Sequence, residues 1–263
     1  MTASRRWALI LGVSSGFGAA TARRLAAEGW DILGVHLDRR STLPAVEALV
    51  GELHAMGRAA VFFNGNAADD AFREQTIASL AEQVESSGAK IGLMMHSLAF
   101  GTLAELVPAD GGRGVRRKQI EMTMDVMANS LVYWTQDVVA ANLMGPGRIF
   151  AMTSEGSEKA WPKYGPVAAA KAALECYVRQ LGRELAPHKI TVNAIMAGVT
   201  TTPALEKIPG SERLISTAIA KNPYDRLTQP DDVAAAIAEL ARPGTHWLNS
   251  NVIRIDGGES SSA

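Results

Sequence analysis

The sequence has a single cysteine, Cys176, among 263 residues, and that scarcity removes two classes of protein at once. No intramolecular disulfide can form, and the usual multi-cysteine metal sites are excluded, so no metal site is expected. Cys176 itself reads as a small apolar residue packed on a helix. Neither sign of charge is in excess. Lysine and arginine number 26 against 27 acidic residues, a net charge of -1, which gives no sign of nucleic-acid binding or broad membrane attraction. Long hydrophobic runs are missing too. Trp7-Ala8-Leu9-Ile10-Leu11, after Arg5-Arg6, is too short for a secretory core or a membrane span and reads as a buried strand. A cytoplasmic soluble protein is the resulting expectation. No linker, low-complexity segment or repeat divides the chain, so a single domain over residues 1–263 is expected.

What is present is apolar material, 47% of the residues, enough to bury a sheet between two helix layers. Strand-like runs occur at Trp7–Leu11, Ile32–Leu37, Ala60–Phe63, Ile91–His96, Arg148–Met152, Thr191–Ile195 and Val252–Ile255. Between them, Thr21–Glu28, Pro44–Met56, Phe72–Val84, Ile120–Leu143, Val167–Leu185 and Asp231–Leu240 read as helices. Most of the runs lack strict alternation, as parallel strands covered on both faces do. The alternation predicts a Rossmann-type, doubly wound α/β fold on a parallel sheet of about seven strands. Two segments break the rhythm. Gly101–Lys118, with Asp110-Gly111-Gly112-Arg113-Gly114, reads as a mobile loop, and Thr200–Arg226, with Pro203, Pro209-Gly210 and Pro223, as a substrate-covering excursion.

Gly12-Val13-Ser14-Ser15-Gly16-Phe17-Gly18 follows the first strand and opens the first helix. Glycines there permit a tight turn and bring backbone amides and a helix N-terminus up to a pyrophosphate. The second strand ends in His36-Leu37-Asp38, followed by Arg39-Arg40. An acid in that place grips the ribose diol of NAD, whereas arginine pairs with the phosphate of NADP. Arg39 and Arg40 favour NADPH; Asp38 on the diol keeps NADH open.

The G-x3-G-x-G turn begins an ordered set. Asn66-Ala67 follows the third strand, His96-Ser97-Leu98-Ala99 the fourth, then come Tyr164, Lys171, Val192–Gly198, Thr202 and Asp256-Gly257-Gly258. Together, over almost the whole chain, they resemble the short-chain dehydrogenase/reductase superfamily. Tyr164 stands seven positions before Lys171, and Val167 occupies the usual tyrosine place. That spacing, His96–Phe100 and Met196-Ala197-Gly198 resemble the divergent branch that includes bacterial enoyl-acyl-carrier-protein reductases. The resemblance implies cofactor contacts from Gly12, Ser14, Ser15, Gly16, Phe17, Gly18, Asn66, Ala67, Ser97, Leu98, Ala99, Lys171, Gly198, Thr200 and Thr202. It also implies His36 in the usual acidic place, and a homotetramer or dimer.

Reduction of a carbonyl or conjugated enone develops negative charge on oxygen, which the Tyr164 phenol can meet with a proton. Lys171 would stabilise phenolate character and hold a cofactor hydroxyl. Ser154, ending the fifth strand, is a donor to substrate oxygen or a cap for the next turn. The branch's second tyrosine is missing, with Ser154 and Ala160 where it would stand, and Met127 falls where many members have an asparagine, Asn129 being offset. His96 reads as a residue closing over the cofactor or as a satisfied strand-end histidine. Trp161, Leu205, Ile208, Leu214, Ile215 and Ile219 read as an acyl pocket or as ordinary packing. Arg113, Arg116, Arg117 and Lys118 read as contacts for a phosphopantetheine carrier or coenzyme A, or as a solvated loop. The leading expectation is reduction of an α,β-unsaturated acyl thioester, linked to acyl carrier protein or coenzyme A. A 3-oxoacyl or other carbonyl reductase is the alternative in kind, and a non-catalytic NADP-binding sensor the alternative in class.

Overall fold

The computed structural model describes residues 5–202, 205, 208 and 210–262. Its first strand, β1 (Trp7–Leu11), is buried at all five positions, as its unbroken apolar run requires. There follow α1 (Gly16–Ala27), β2 (Asp31–His36), α2 (Leu43–Ala55), β3 (Ala60–Asn64), α3 (Asp70–Ser87), β4 (Ile91–His96), α4 (Arg117–Met124) and α5 (Ser130–Ala140). The second half adds β5 (Met144–Thr153), α6 (Gly165–Glu184), β6 (Ile190–Ala197), α7 (Ser211–Lys221), α8 (Pro230–Leu240) and β7 (Val252–Ile255). All the strand pairs are parallel, in the order β3-β2-β1-β4-β5-β6-β7. The sequence-based fold is therefore the observed one, a single Rossmann-like domain. Strand order reverses between β1 and β4, and a cleft opens beyond their carboxyl ends, where such sheets bind ligands.

Two apolar clusters cover the two faces of the sheet. One gathers Trp134, Leu131, Leu174 and Val178 from α5 and α6, and the other Leu25, Leu49, Leu53 and Ile237 from α1, α2 and α8. Burying a side chain of this size contributes about 1.5–3 kcal/mol, so the clusters set the sheet rigidly under the cleft.

Several boundaries differ from the sequence reading. The second strand stops at His36, and Leu37 is 63% exposed beyond the last paired residue. Helix α1 begins at Gly16 rather than Thr21, because the glycine turn itself enters the helix. The single helix expected over Ile120–Leu143 is interrupted: between α4 and α5, Asp125–Asn129 form a π-turn. Thr200–Arg226 contains a helix, α7, that the glycine and prolines around it concealed; Pro203 and Pro209 lie outside the described residues. Cys176 faces solvent on α6 instead of packing. Among the described residues no helix is long and apolar enough to cross a membrane, and no group of three or more His, Cys, Asp or Glu is placed to hold a metal ion.

Candidate active site

The glycine turn is shaped by close approach. Gly12 has φ +90°, and a Cβ there would lie 2.4 Å from the Ser97 carbonyl oxygen. A Cβ on Gly18 would lie 2.0 Å from the Gly12 carbonyl oxygen, so α1 rests directly on the turn. Both contacts are backbone, which cannot step aside. The Gly12 and Val13 amides donate to Val35 O at 2.8 and 3.2 Å, tying the turn to β2. Ser15 is the exposed N-cap of α1 and its side chain makes no capping bond, so the first-turn amides are left without a side-chain partner, as an anion at a helix N-terminus requires.

Two cavities flank this turn. The smaller, about 120 Å³, is lined by Gly12, Ser14, His36, Asn66, Ala67 and Leu98. The larger, about 260 Å³, takes Phe17, Ser154, Tyr164, Gly198, Thr200 and Thr202 into its wall. Ala99 lines both, so the two adjoin. A nucleotide base, a pyrophosphate and a second ring need this succession, and the cradle fits a dinucleotide. Ser97 is fixed by its amide, which donates to Leu11 O at 2.8 Å. Thr200 Oγ1 donates to Gly198 O at 2.9 Å, and Thr202 Oγ1 accepts from Leu205 N at 3.3 Å.

Beyond β2 the arginines and the acid part company. Arg39 and Arg40 are exposed and lie outside the wall of the smaller cavity. Asp38 is partly covered, with its Oδ2 3.0 Å from His36 Nδ1. Burial pulls its carboxyl upward, but bonds from Thr42, Ser14 and His36 outweigh that and hold it below the usual range.

At the other end Tyr164 is the N-cap residue of α6, with Gly165 and Pro166 opening the helix behind it. Its hydroxyl lies 3.2 Å from Ser154 Oγ, inside the larger cavity. Burial raises the Tyr164 phenol above its ordinary value, the Ser154 bond offsetting part of the rise, so the group stays protonated. Lys171 is buried on the same helix. Its ammonium donates to Met152 O at 2.6 Å and to Leu98 O at 3.5 Å, bridging the ends of β5 and β4 rather than touching the phenol. Burial lowers Lys171 to about 8 against the opposing pull of Glu175.

Sequence reasoning missed three carboxylates. Glu175, one helical turn after Lys171, is buried and accepts from Thr153 Oγ1 at 2.5 Å; the i, i+4 spacing was its one available signal. Glu155 and Glu259 line the larger cavity, and both Glu259 oxygens accept from Val199 N, at 3.3 and 3.1 Å. Of the residues read as an acyl pocket, Trp161, Leu205, Ile208 and Leu214 line the cavity, while Ile215 and Ile219 do not. Met127 lines it as well, whereas Asn129 is engaged by Asp125 and Tyr177. His96 is wholly buried, with Nε2 2.8 Å from Ser130 Oγ; burial and the neighbouring Lys171 charge lower it to about 3, so it is neutral.

The chain is similar to known reductases over most of its length. The family profile described as Enoyl-(Acyl carrier protein) reductase matches residues 12–260. The short-chain reductase protein NovJ of Streptomyces niveus is 28% identical, over 95% of this chain and 92% of the relative. The NADH-dependent enoyl-[acyl-carrier-protein] reductase FabI of Aquifex aeolicus is 27% identical over 72% of this chain and 69% of its own length. A Burkholderia cenocepacia short chain dehydrogenase, solved in complex with NADP, superposes with a TM-score of 0.80 at 27% identity, covering 98% of each chain. A glycine turn at the switch point, a half-buried Tyr–Ser pair and a buried lysine on the same helix are thus set in a relationship that spans nearly the whole sequence, and the chain belongs to the short-chain dehydrogenase/reductase superfamily, in its enoyl-(acyl carrier protein) reductase family.

Proposed function

We propose that this protein reduces the α,β double bond of an enoyl thioester with NADPH. The observation that carries the proposal is the Tyr164 hydroxyl, presented from the N-cap of α6 into an apolar cavity beside the nucleotide cleft. The nicotinamide supplies the hydride when bound. The chain's own residues do the rest. A protonated phenol meets the oxygen on which negative charge develops, in a site whose apolar walls strengthen that bond. Lys171, fixed by two strand-end carbonyls, would hold a cofactor hydroxyl and place positive charge behind the reacting centre. Trp161, Leu205 and Leu214 exclude water from the acyl chain.

Ser154 favours a second reading. Two hydroxyls 3.2 Å apart converge on one oxygen, as carbonyl reduction of a 3-oxoacyl group would use. Turnover of enoyl and 3-oxoacyl thioesters, measured with both reduced cofactors, separates the two. Tyr164→Phe is expected to lower hydride transfer on the accepted substrate by roughly 10²–10⁴-fold with little change in cofactor affinity. Ser154→Ala should cost a carbonyl reductase far more than an enoyl reductase. Parent-like hydride transfer in Tyr164→Phe would defeat the proposed mechanism, whereas a parent that binds cofactor and turns over none of these substrates would favour the cofactor-binding sensor.

For the cofactor, Arg39 and Arg40 support a 2′-phosphate, and the pinned Asp38 supports a ribose diol. Arg39→Ala with Arg40→Ala should weaken NADPH binding by about 1.5–3 kcal/mol per phosphate contact and leave NADH binding almost unchanged. Equal affinities of the parent for the two cofactors would discard the NADPH preference.

A further inference from the structure

Outside the two cavities beside the glycine turn, the described residues border a further, open depression of about 510 Å³, and its character is cationic. Arg113, Arg116 and Lys163 line it, against one carboxylate, Glu105. Among the described residues none of these three cations forms a salt bridge, whereas Arg117, next in sequence, is paired with Glu121. Gln119 completes the wall; its Oε1 accepts from the Arg116 amide at 3.0 Å and from Arg116 Nε at 3.4 Å, which holds that guanidinium at the wall. Leu103 lines both this space and the Tyr164 cavity, so the two share a wall.

The loop is docked. Val115 N donates to Glu105 O at 2.9 Å, closing the loop that carries Arg113. Leu106 packs on the start of α6, where a Cβ on Gly165 would lie 2.9 Å from Leu106 Cγ. Lys163, immediately before Tyr164, is held at φ +62°, a conformation uncommon for a residue with a Cβ. The proton donor and the cationic wall are therefore built from one continuous stretch, Lys163-Tyr164-Gly165, with the loop seated on it.

We propose that this space is an anion subsite, taking the phosphate at the far end of a pantetheine arm while the acyl group lies against Tyr164. The proposal rests on the enoyl thioester reading. Two guanidinium groups and an ammonium give the forked and point-charge donors a phosphate requires, and Glu105 leaves a net positive wall. Among the four cations read from the sequence, the structure retains Arg113 and Arg116 here and adds Lys163, which lies far away in the chain.

The test separates the subsite from the chemistry. With the cofactor site saturated, calorimetry compares 4′-phosphopantetheine with pantetheine on the parent and on a variant carrying Arg113→Ala, Arg116→Ala and Lys163→Asn. Asparagine tolerates the left-handed conformation at 163, and all three side chains are exposed, so folding and cofactor affinity should be kept. The parent should bind the phosphorylated arm at least ~10-fold more tightly, a preference that shrinks with salt and disappears in the variant. Equal binding of both arms by the parent, or a preference that survives in the variant, overturns the subsite. In turnover, the enoyl thioesters of coenzyme A and of an acyl carrier protein both carry this phosphate. The variant should lose about tenfold in kcat/KM on whichever the enzyme uses, and keep parent rates on the N-acetylcysteamine thioester. A phosphate preference in binding without turnover of any enoyl thioester would leave the subsite standing and remove the enoyl reading.

Discussion

Lys171 is a cation placed where cations are costly. Burial holds it at about 8, below the ordinary lysine value of 10.5, so the folded protein binds its proton less tightly than the unfolded chain. The sign follows. Below pH 8 both states are protonated and the folded state bears the whole penalty; as pH rises from about 8 toward 10.5 the folded lysine gives up its proton first, and stability contributed by this group increases. The stability of the parent relative to Lys171→Met, which has no proton to lose, should therefore rise by about 1–3 kcal/mol between pH 7 and pH 10. Urea unfolding of both proteins across that range checks it, and a constant difference would remove burial as the cause. Activity and cofactor affinity should both be lost in the variant, as the role proposed for Lys171 requires. Tyr164 and Lys171 were legible in the sequence because their order and spacing survive any folding detail. Glu175 was not. A glutamate on a helix reads as solvated, and only packing of α6 against Thr153 shows that it is buried.

The strands announced themselves, since parallel strands buried on both faces leave continuous apolar runs such as Trp7–Leu11. The helices were less plain: six were read from the sequence and eight are present among the described residues, α7 having gone unread and one long run being divided into α4 and α5. Val126, Met127, Leu131, Trp134 and Val138 continue one apolar pattern, so the π-turn at Asp125–Asn129 leaves no mark on the spacing. What holds the turn is a buried polar chain. Ser130 Oγ donates to Val126 O at 2.9 Å, so with its one proton committed it accepts from His96 Nε2 at 2.8 Å. π-turns often sit at functional sites, and this one delivers Met127 to the cavity wall. Ser130→Ala should cost about 1–3 kcal/mol, because it strands a buried imidazole N–H. Thermal or urea unfolding measures it, and a loss below about 0.5 kcal/mol, the scale of a neutral surface change, would show that the chain does not hold the turn.

At the scale of the whole molecule, rigid and less constrained parts meet along one edge. The sheet and its two apolar clusters fix the glycine turn, Lys171 and Tyr164 on one side of the cleft. The opposite wall comes from the chain after β6: Gly198, Thr200, Thr202, Leu205, Ile208 and Leu214. Helix α7 buries only Ala218 among its eleven residues, so few buried contacts hold that part of the wall. An element with so few buried contacts opens at low free energy and exchanges its amides readily. Ligands that fill the cavity add apolar contacts to Leu205, Ile208 and Leu214, which is how substrate closure is usually coupled to binding. Hydrogen exchange in Ser211–Lys221 should therefore slow on adding cofactor and substrate together, more than with cofactor alone. Gly101–Lys118 should slow as well, and in Arg113→Ala with Arg116→Ala and Lys163→Asn that second protection should fall while the protection of α7 remains. Exchange in α7 that ignores both ligands would mean that the wall is static, and that access to Tyr164 is controlled elsewhere.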